Sequence, residues 1–351
     1  MSTKPVRVLV VDDSALVRAV LSQGLALDPG IEVVGTASDP FVARDRIVQL
    51  RPDVLTLDVE MPRMDGVEFL RRLMPQYPLP VLMVSALTER GAQITMEALE
   101  AGAVDFVTKP SADVQRGLQE MLGELREKVK AVARADVSHW KTGAAKPAPR
   151  PVATRALAVT TDKLIAVGAS TGGTVAVKTL LSSFPADMPG TVVVQHMPAG
   201  FTRLFAETLD ASCAMTVREA REGDRVLPGL VLVAPGDHHL RVVRSGGTYL
   251  VKLDATDKVN GHRPSVDVLF QSVARDVAAN ATGVILTGMG GDGAKGLLAM
   301  RQAGARTLGQ DERSCIVYGM PKVAHELGAV ESQGSPEVLG ERLVSLFEKR
   351  P

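Results

Sequence analysis

A chain of 351 residues, 45% of them hydrophobic, is long enough for about two domains at roughly 150 residues each. Its 40 basic residues equal its 40 acidic ones, so there is no net positive field to hold nucleic acid and no acidic excess to keep the chain unfolded. No apolar run approaches the roughly 20 residues that span a bilayer, the opening MSTKPVRVLVVDD lacks signal-peptide features, and two distant cysteines, Cys213 and Cys315, read as reduced thiols of a cytoplasmic protein.

From residue 6 the short runs VRVLVVDD, IEVVGTA, VLTLDVE, VLMVSA and DFVTKP alternate with segments of helical period. Five strands and five helices in alternation predict an open, parallel, flavodoxin-like sheet covered on both faces. The last helix of this domain, 1–134, runs into SHWKTGAAKPAPRPVATRALAVTTDK, rich in Ala, Pro and basic residues. Residues 135–160 are expected to be a flexible linker. The domain at 161–351 resumes the alternation with LIAVGAS and TVVVQHM, and a β-rich stretch from about 216 to 253 carries a hairpin signal at RSGG. SVDVLFQSVARDVA then reads as a helix, ATGVILTG and ARTLGQD as strands, and two helices close a larger, doubly wound, mainly parallel α/β domain.

In a parallel sheet, ligands bind at the carboxyl ends of the strands. In the first domain those ends carry Asp12 and Asp13, Asp58, Ser85 and Lys109. Three carboxylates converging on one crevice repel one another unless a cation sits among them, and hard oxygen donors suit Mg²⁺. A carboxylate beside that ion can attack phosphorus, and Asp58, central in the sheet, is the expected nucleophile. Lys109 and the Ser85 hydroxyl are placed to meet phosphoryl oxygens. With DD at 12–13, LDVEMPRMDG around Asp58, VSAL and TKP, residues 6 to about 125 resemble the two-component receiver family. The resemblance implies Asp58 as phospho-acceptor, Asp13, Asp58 and the Glu60 backbone as Mg²⁺ ligands, and a histidine kinase as phosphodonor. It also implies that Phe106 changes rotamer together with Ser85.

In the second domain Ser170 lies in GASTGG, a G-x-S-x-G pattern between a strand and a helix. Small neighbours let the backbone turn sharply and leave the hydroxyl clear. The same glycines could cradle a dinucleotide phosphate, but the next strand ends in Gln195-His196 rather than a ribose-binding acid, and G-x-G-x-x-G is absent. His196 and Asp292 also follow predicted strands, so one crevice can gather hydroxyl, imidazole and carboxylate, the set that nucleophilic acyl transfer needs. The glycines of GMGGDG let backbone amides near Met289 approach a developing oxyanion. The other histidines, His139, His238, His239, His262 and His325, are expected to be structural or on the surface, and neighbouring His238 and His239 point to opposite faces of a strand. Met197, Met289 and Met320 read mainly as core filling.

GASTGG, QHMP, APGDHHL, HRPSVDVLF and TGMGGDGAKG, in that order, resemble the catalytic domain of the chemotaxis protein-glutamate methylesterases from residue 163 to about 348. The resemblance implies Ser170 as nucleophile, His196 as general base and acid, Asp292 as orienting carboxylate, and Met289 and Thr171 as oxyanion donors. It implies γ-glutamyl methyl esters of chemoreceptor cytoplasmic domains as substrate, cleaved to methanol, with deamidation of selected glutamines at the same site. With no ligand cluster around His238 and His239, no cofactor is expected in this domain, and a monomer is expected because inhibition within one chain needs no partner. Gly291 departs from the family, which often has a longer side chain there. Receiver and hydrolase on one chain imply gating, the unphosphorylated receiver covering the crevice. A nucleotide-dependent oxidoreductase and a purely binding output domain are the competing classes; neither accounts for serine, histidine and aspartate at strand ends.

Overall fold

The computed structural model describes residues 4–110, 114–142 and 163–347, and the chain folds as two compact units, residues 1–147 and 148–351. The first unit runs β1 (Val6–Val11), α1 (Ala15–Ala26), β2 (Ile31–Ala37), α2 (Pro40–Leu50), β3 (Val54–Asp58), α3 (Gly66–Gln76), β4 (Val81–Ala86), α4 (Glu89–Glu100), β5 (Asp105–Lys109) and α5 (Val114–Val132). Its sheet is parallel in the order β2-β1-β3-β4-β5, so both faces are covered and β3 is buried throughout. Local chemistry sets the helix starts. The side chains of Ser14, Asp39, Asp65 and Thr88 each accept a first-turn amide, satisfying donors that a helix cannot satisfy internally.

Residues 143–160 of the expected linker lie outside the described residues. The stretch before them is folded onto the first unit: Ala135 and Val137 are buried, and residues 138–142 make a 3-10 turn against α3. The Trp140 ring lies against Gly102, where an added Cβ would come within 3.0 Å of it. Apolar residues without a regular period were enough to seat this stretch.

The second unit contains β6 (Leu164–Ala169), α6 (Gly173–Ser182), β7 (Gly190–Gln195), α7 (Phe201–Asp210), β8 (Thr216–Glu219), β9 (Leu230–Val233), β10 (His239–Ser245), β11 (Thr248–Asp254), α8 (Val266–Asp276), β12 (Ala281–Ile285), α9 (Ala294–Gln302), β13 (Arg306–Gln310), α10 (Met320–Glu326), β14 (Ser332–Gly334) and α11 (Pro336–Phe347). Seven strands form a parallel sheet ordered β14-β13-β12-β6-β7-β9-β8, and β10-β11 is a separate antiparallel hairpin closed by Gly246-Gly247. After β6 the chain builds outward through β7, then returns to lay β12 on the other side of β6. Winding direction therefore reverses between β6 and β12, and the crevice at the carboxyl ends of these two strands is where such a sheet binds ligands.

Candidate active site and acidic pocket

β6 is flanked by β7, with Ala169 opposite Gln195, and by β12, with Gly168 opposite Ile285. One residue further on, Ser170 and His196 are neighbours about one strand spacing apart, and the His196 amide donates to Ala169 O at 3.1 Å. The ladder with β12 continues past its last strand residue, since the Ser170 amide donates to Thr287 O at 3.0 Å. Gly288 follows, and a Cβ there would stand 2.8 Å from that of Ser170 and 2.2 Å from Met320 Sδ, so only glycine lets the 288–292 loop pass the serine. The loop then delivers Asp292, almost fully buried, to His196.

His196 Nε2 lies 2.9 Å from Asp292 Oδ2. The same oxygen accepts the Val266 amide at 2.7 Å, while Oδ1 accepts from Ser265 Oγ at 2.8 Å, Asn260 Nδ2 at 2.7 Å and the Asp267 amide at 3.2 Å. Two of these donors are free amides at the start of α8, where the helix dipole also favours an anion. Burial works to raise the Asp292 pKa, but the His196 hydrogen bond and charge, Asn260 and the Val266 amide outweigh it and hold the carboxyl well below the usual carboxylate range. Stability from this group is therefore fully present above that usual range and is lost as pH falls below it. An anion can only accept, so Nε2 carries a proton, and in the neutral ring the lone pair is on Nδ1.

Nδ1 is buried and has no hydrogen-bond partner among the described residues. The structure thus joins imidazole to carboxylate and brings Ser170 to the adjoining strand end, without the serine–histidine hydrogen bond expected from the sequence. Such bonds are often loose in ligand-free sites and tighten with substrate. Thr171 is buried, Met289 half-buried, and neither backbone amide is engaged among the described residues. Met197 and Met320 are buried core residues. At Gly291 an added Cβ would come 3.1 Å from Val323 Cγ1, so a longer side chain there requires that valine to give way.

Several residues around the site were not foreseen. His262 stacks on His196, ring centroids 3.8 Å apart and planes 13° from parallel. Asn260, in the left-handed region at φ 52°, bridges Asp292 and Asp267; the Asn-Gly pair at 260–261 was legible as a turn, its target was not. Ser265 caps α8 and could have been read as a cap ahead of VDVLF. Buried His239 accepts the Ser265 amide on Nδ1 and donates from Nε2 to Asp257 O, which pins the loop between them. His238 is exposed, on the opposite side.

In the first unit the strand ends bring Asp12, Asp13 and Asp58 together, one oxygen from each lying within 4.8 Å of the others. Lys109 Nζ is 3.0 Å from both Asp12 Oδ2 and Asp58 Oδ1. Burial, with help from the Asp12 charge and against the Lys109 charge, pushes the Asp58 carboxyl up to about 6. For Lys109, burial is outweighed by the two carboxylates and its pKa is raised. Ser85 is turned toward α4: its hydroxyl donates to Gly91 O at 3.2 Å and accepts from Thr95 Oγ1 at 2.7 Å. Phe106 is buried, with Lys128 Nζ 5.4 Å from its ring centroid. The Glu60 side chain is exposed and 3.6 Å from Arg90 Nε, leaving its main chain beside Asp58 as the part that can face the pocket. Clustered hard oxygens fit Mg²⁺.

Fold and site together define a receiver-linked α/β hydrolase. The chain matches the response regulator receiver domain family over residues 8–122 and the CheB methylesterase family over residues 165–343. It is 63% identical to a protein-glutamate methylesterase/protein-glutamine glutaminase of Syntrophotalea carbinolica over 99% of both chains, and 56% identical to one from Pseudomonas aeruginosa over 93% of both. The crystal structure of the Thermotoga maritima CheB methylesterase catalytic domain aligns with a TM-score of 0.52 and 38% identity, covering 54% of this chain and all of that one. The chain belongs to the family of protein-glutamate methylesterases/protein-glutamine glutaminases. No helix among the described residues is long and apolar enough to cross a membrane.

Proposed function

We propose that the second unit hydrolyses γ-glutamyl methyl esters of chemoreceptor cytoplasmic domains to glutamate and methanol, and selected glutamines to glutamate and ammonia, under phosphorylation control by the first. The observation that carries this reading is the buried His196–Asp292 pair at 2.9 Å beside Ser170. Ser170 Oγ attacks the ester or amide carbon while His196 Nδ1 takes the hydroxyl proton. Asp292 keeps the other proton on Nε2 and stabilises the imidazolium. The carbonyl oxygen, now negative, is met by the Thr171 and Met289 amides. Collapse returns the proton from Nδ1 to the leaving methoxide or amine, giving a γ-glutamyl ester of Ser170. Water, deprotonated by the same nitrogen, hydrolyses it and regenerates the hydroxyl. This base role falls to Nδ1, the reverse of the usual nitrogen assignment in serine triads.

Asp292→Asn is expected to lower methanol release about 10⁴-fold, because both carboxylate oxygens accept N–H donors, and with the amide oxygen taking the three donors on the Oδ1 side its NH2 faces Nε2 and forces the imidazole proton onto Nδ1. The check is initial rates on a methylated receptor fragment; a loss under about tenfold would overturn the role of Asp292.

In the first unit the reading makes Asp58 the phospho-acceptor and a histidine kinase the donor, with Lys109 shifting to a phosphoryl oxygen and Ser85 turning from α4 to another. Asp13, Asp58 and the Glu60 carbonyl would hold Mg²⁺, which neutralises charge on the incoming phosphoryl group. Millimolar Mg²⁺ is expected to raise the melting temperature of the first unit, by the equivalent of about 2.7 kcal/mol at a hundredfold excess over the dissociation constant, with EDTA reversing it and Asp13→Ala removing it; calorimetry of the full chain reads this directly. The proposal takes the chain as a cytoplasmic monomer.

A further inference from the structure

Two buried side chains that touch no reacting atom grip the nucleophile's turn from opposite sides. From β7, Gln195 Nε2 donates to Ser170 O at 2.8 Å and lies 3.4 Å from His196 O. Its orientation is fixed, because the flipped amide would set its oxygen against two carbonyls. Oε1 is left buried without a partner among the described residues, against Gly173, where a Cβ would lie 2.2 Å from it. From beyond β12, the fully buried Thr287 hydroxyl donates to Thr171 O at 2.9 Å and accepts the Val317 amide at 2.9 Å.

A trans peptide points its N–H opposite to its C=O. With Ser170 O held by the Gly173 amide at 2.7 Å and drawn toward β7 by Gln195 at 2.8 Å, the Thr171 N–H of the same peptide plane is turned away from β7, to the β12 side, where the Met289 loop emerges. With Thr171 O tied to Thr287, the next plane cannot rotate and carry Thr171 with it. Among the described residues the Thr171 amide donates to nothing, although the residue is only 2% exposed. A buried backbone donor without a partner is uncommon and calls for an explanation.

We propose that Gln195 and Thr287 are positioning residues that aim the Thr171 amide at the oxyanion of the tetrahedral intermediate, so that they act on kcat although neither touches substrate. The inference rests on Ser170 being the nucleophile. A donor displaced by a fraction of an ångström loses most of its worth only where negative charge has developed, so ground-state binding is spared.

The test uses the full chain activated by a small phosphodonor, with a methylated receptor fragment as substrate and a fluorophosphonate as serine probe. Gln195→Met and Thr287→Val keep side-chain volume and remove the donor. Each is expected to lower kcat and the labelling rate in parallel by about 10- to 100-fold, with KM within about threefold. Thr287→Ser restores the hydroxyl and is expected to stay within about threefold of the parent in kcat, although it loses a buried methyl and melts lower. Unchanged kcat in the first two variants, or a Thr287→Ser loss as deep as that of Thr287→Val and tracking melting temperature, overturns the proposal. Absence of fluorophosphonate labelling at Ser170 in the parent marks instead a failure of the nucleophile assignment.

Discussion

Ser170→Ala is expected to lower methanol release from a methylated receptor by on the order of 10⁶-fold, and ammonia release from glutamine sites with it. The turn should survive intact. Its backbone bonds, to Thr287 O, from Gly173 N and from Gln195 Nε2, involve no atom of the Ser170 side chain beyond Cβ, and alanine keeps the Cβ that Gly288 is shaped to pass. What remains is the transition-state stabilisation that oriented amides and substrate binding give without a nucleophile, roughly 10³- to 10⁴-fold over water. Because the two units are separately compact, phosphorylation of Asp58 should be unaffected, which separates loss of chemistry from loss of fold. Methanol release near the parent rate would refute the assignment.

Asp58→Ala is expected to abolish stimulation by phosphodonor, bringing the ratio of stimulated to unstimulated rate to about one. A switch can shift an equilibrium only by what it binds differently in the two states, and here the difference is a dianionic phosphoryl group placed among Asp12, Asp13 and Lys109. Without the acceptor, Lys109 keeps its ion pair with Asp12 at 3.0 Å and Ser85 its bonds to α4, so the unphosphorylated arrangement persists. Paired esterase assays with and without acetyl phosphate decide it; continued stimulation of the variant would point to another acceptor.

The strand-end residues were legible because a parallel sheet delivers its functional groups to one rim, and β-branched runs mark where each strand stops. Asp12, Asp58 and Lys109 converge as the alternation implies, as do His196 and Asp292, whereas the Ser85 hydroxyl is turned to α4. What surrounds Asp292 was not legible. Asn260, Ser265 and the amides of 266 and 267 lie 25 to 32 residues earlier in the chain and reach it only because α8 points its start at the crevice, which is a matter of packing. Which imidazole nitrogen faces the acid is likewise set by three-dimensional approach. At 135–142, sparse apolar residues looked like linker because a single turn and a lone tryptophan have no period to detect.

The carboxylate that steadies His196 is also the anion on which the first turn of α8 rests. Chemistry and a stretch of secondary structure thus share one anchor, and a substitution that loosens that helix end also loosens the imidazole.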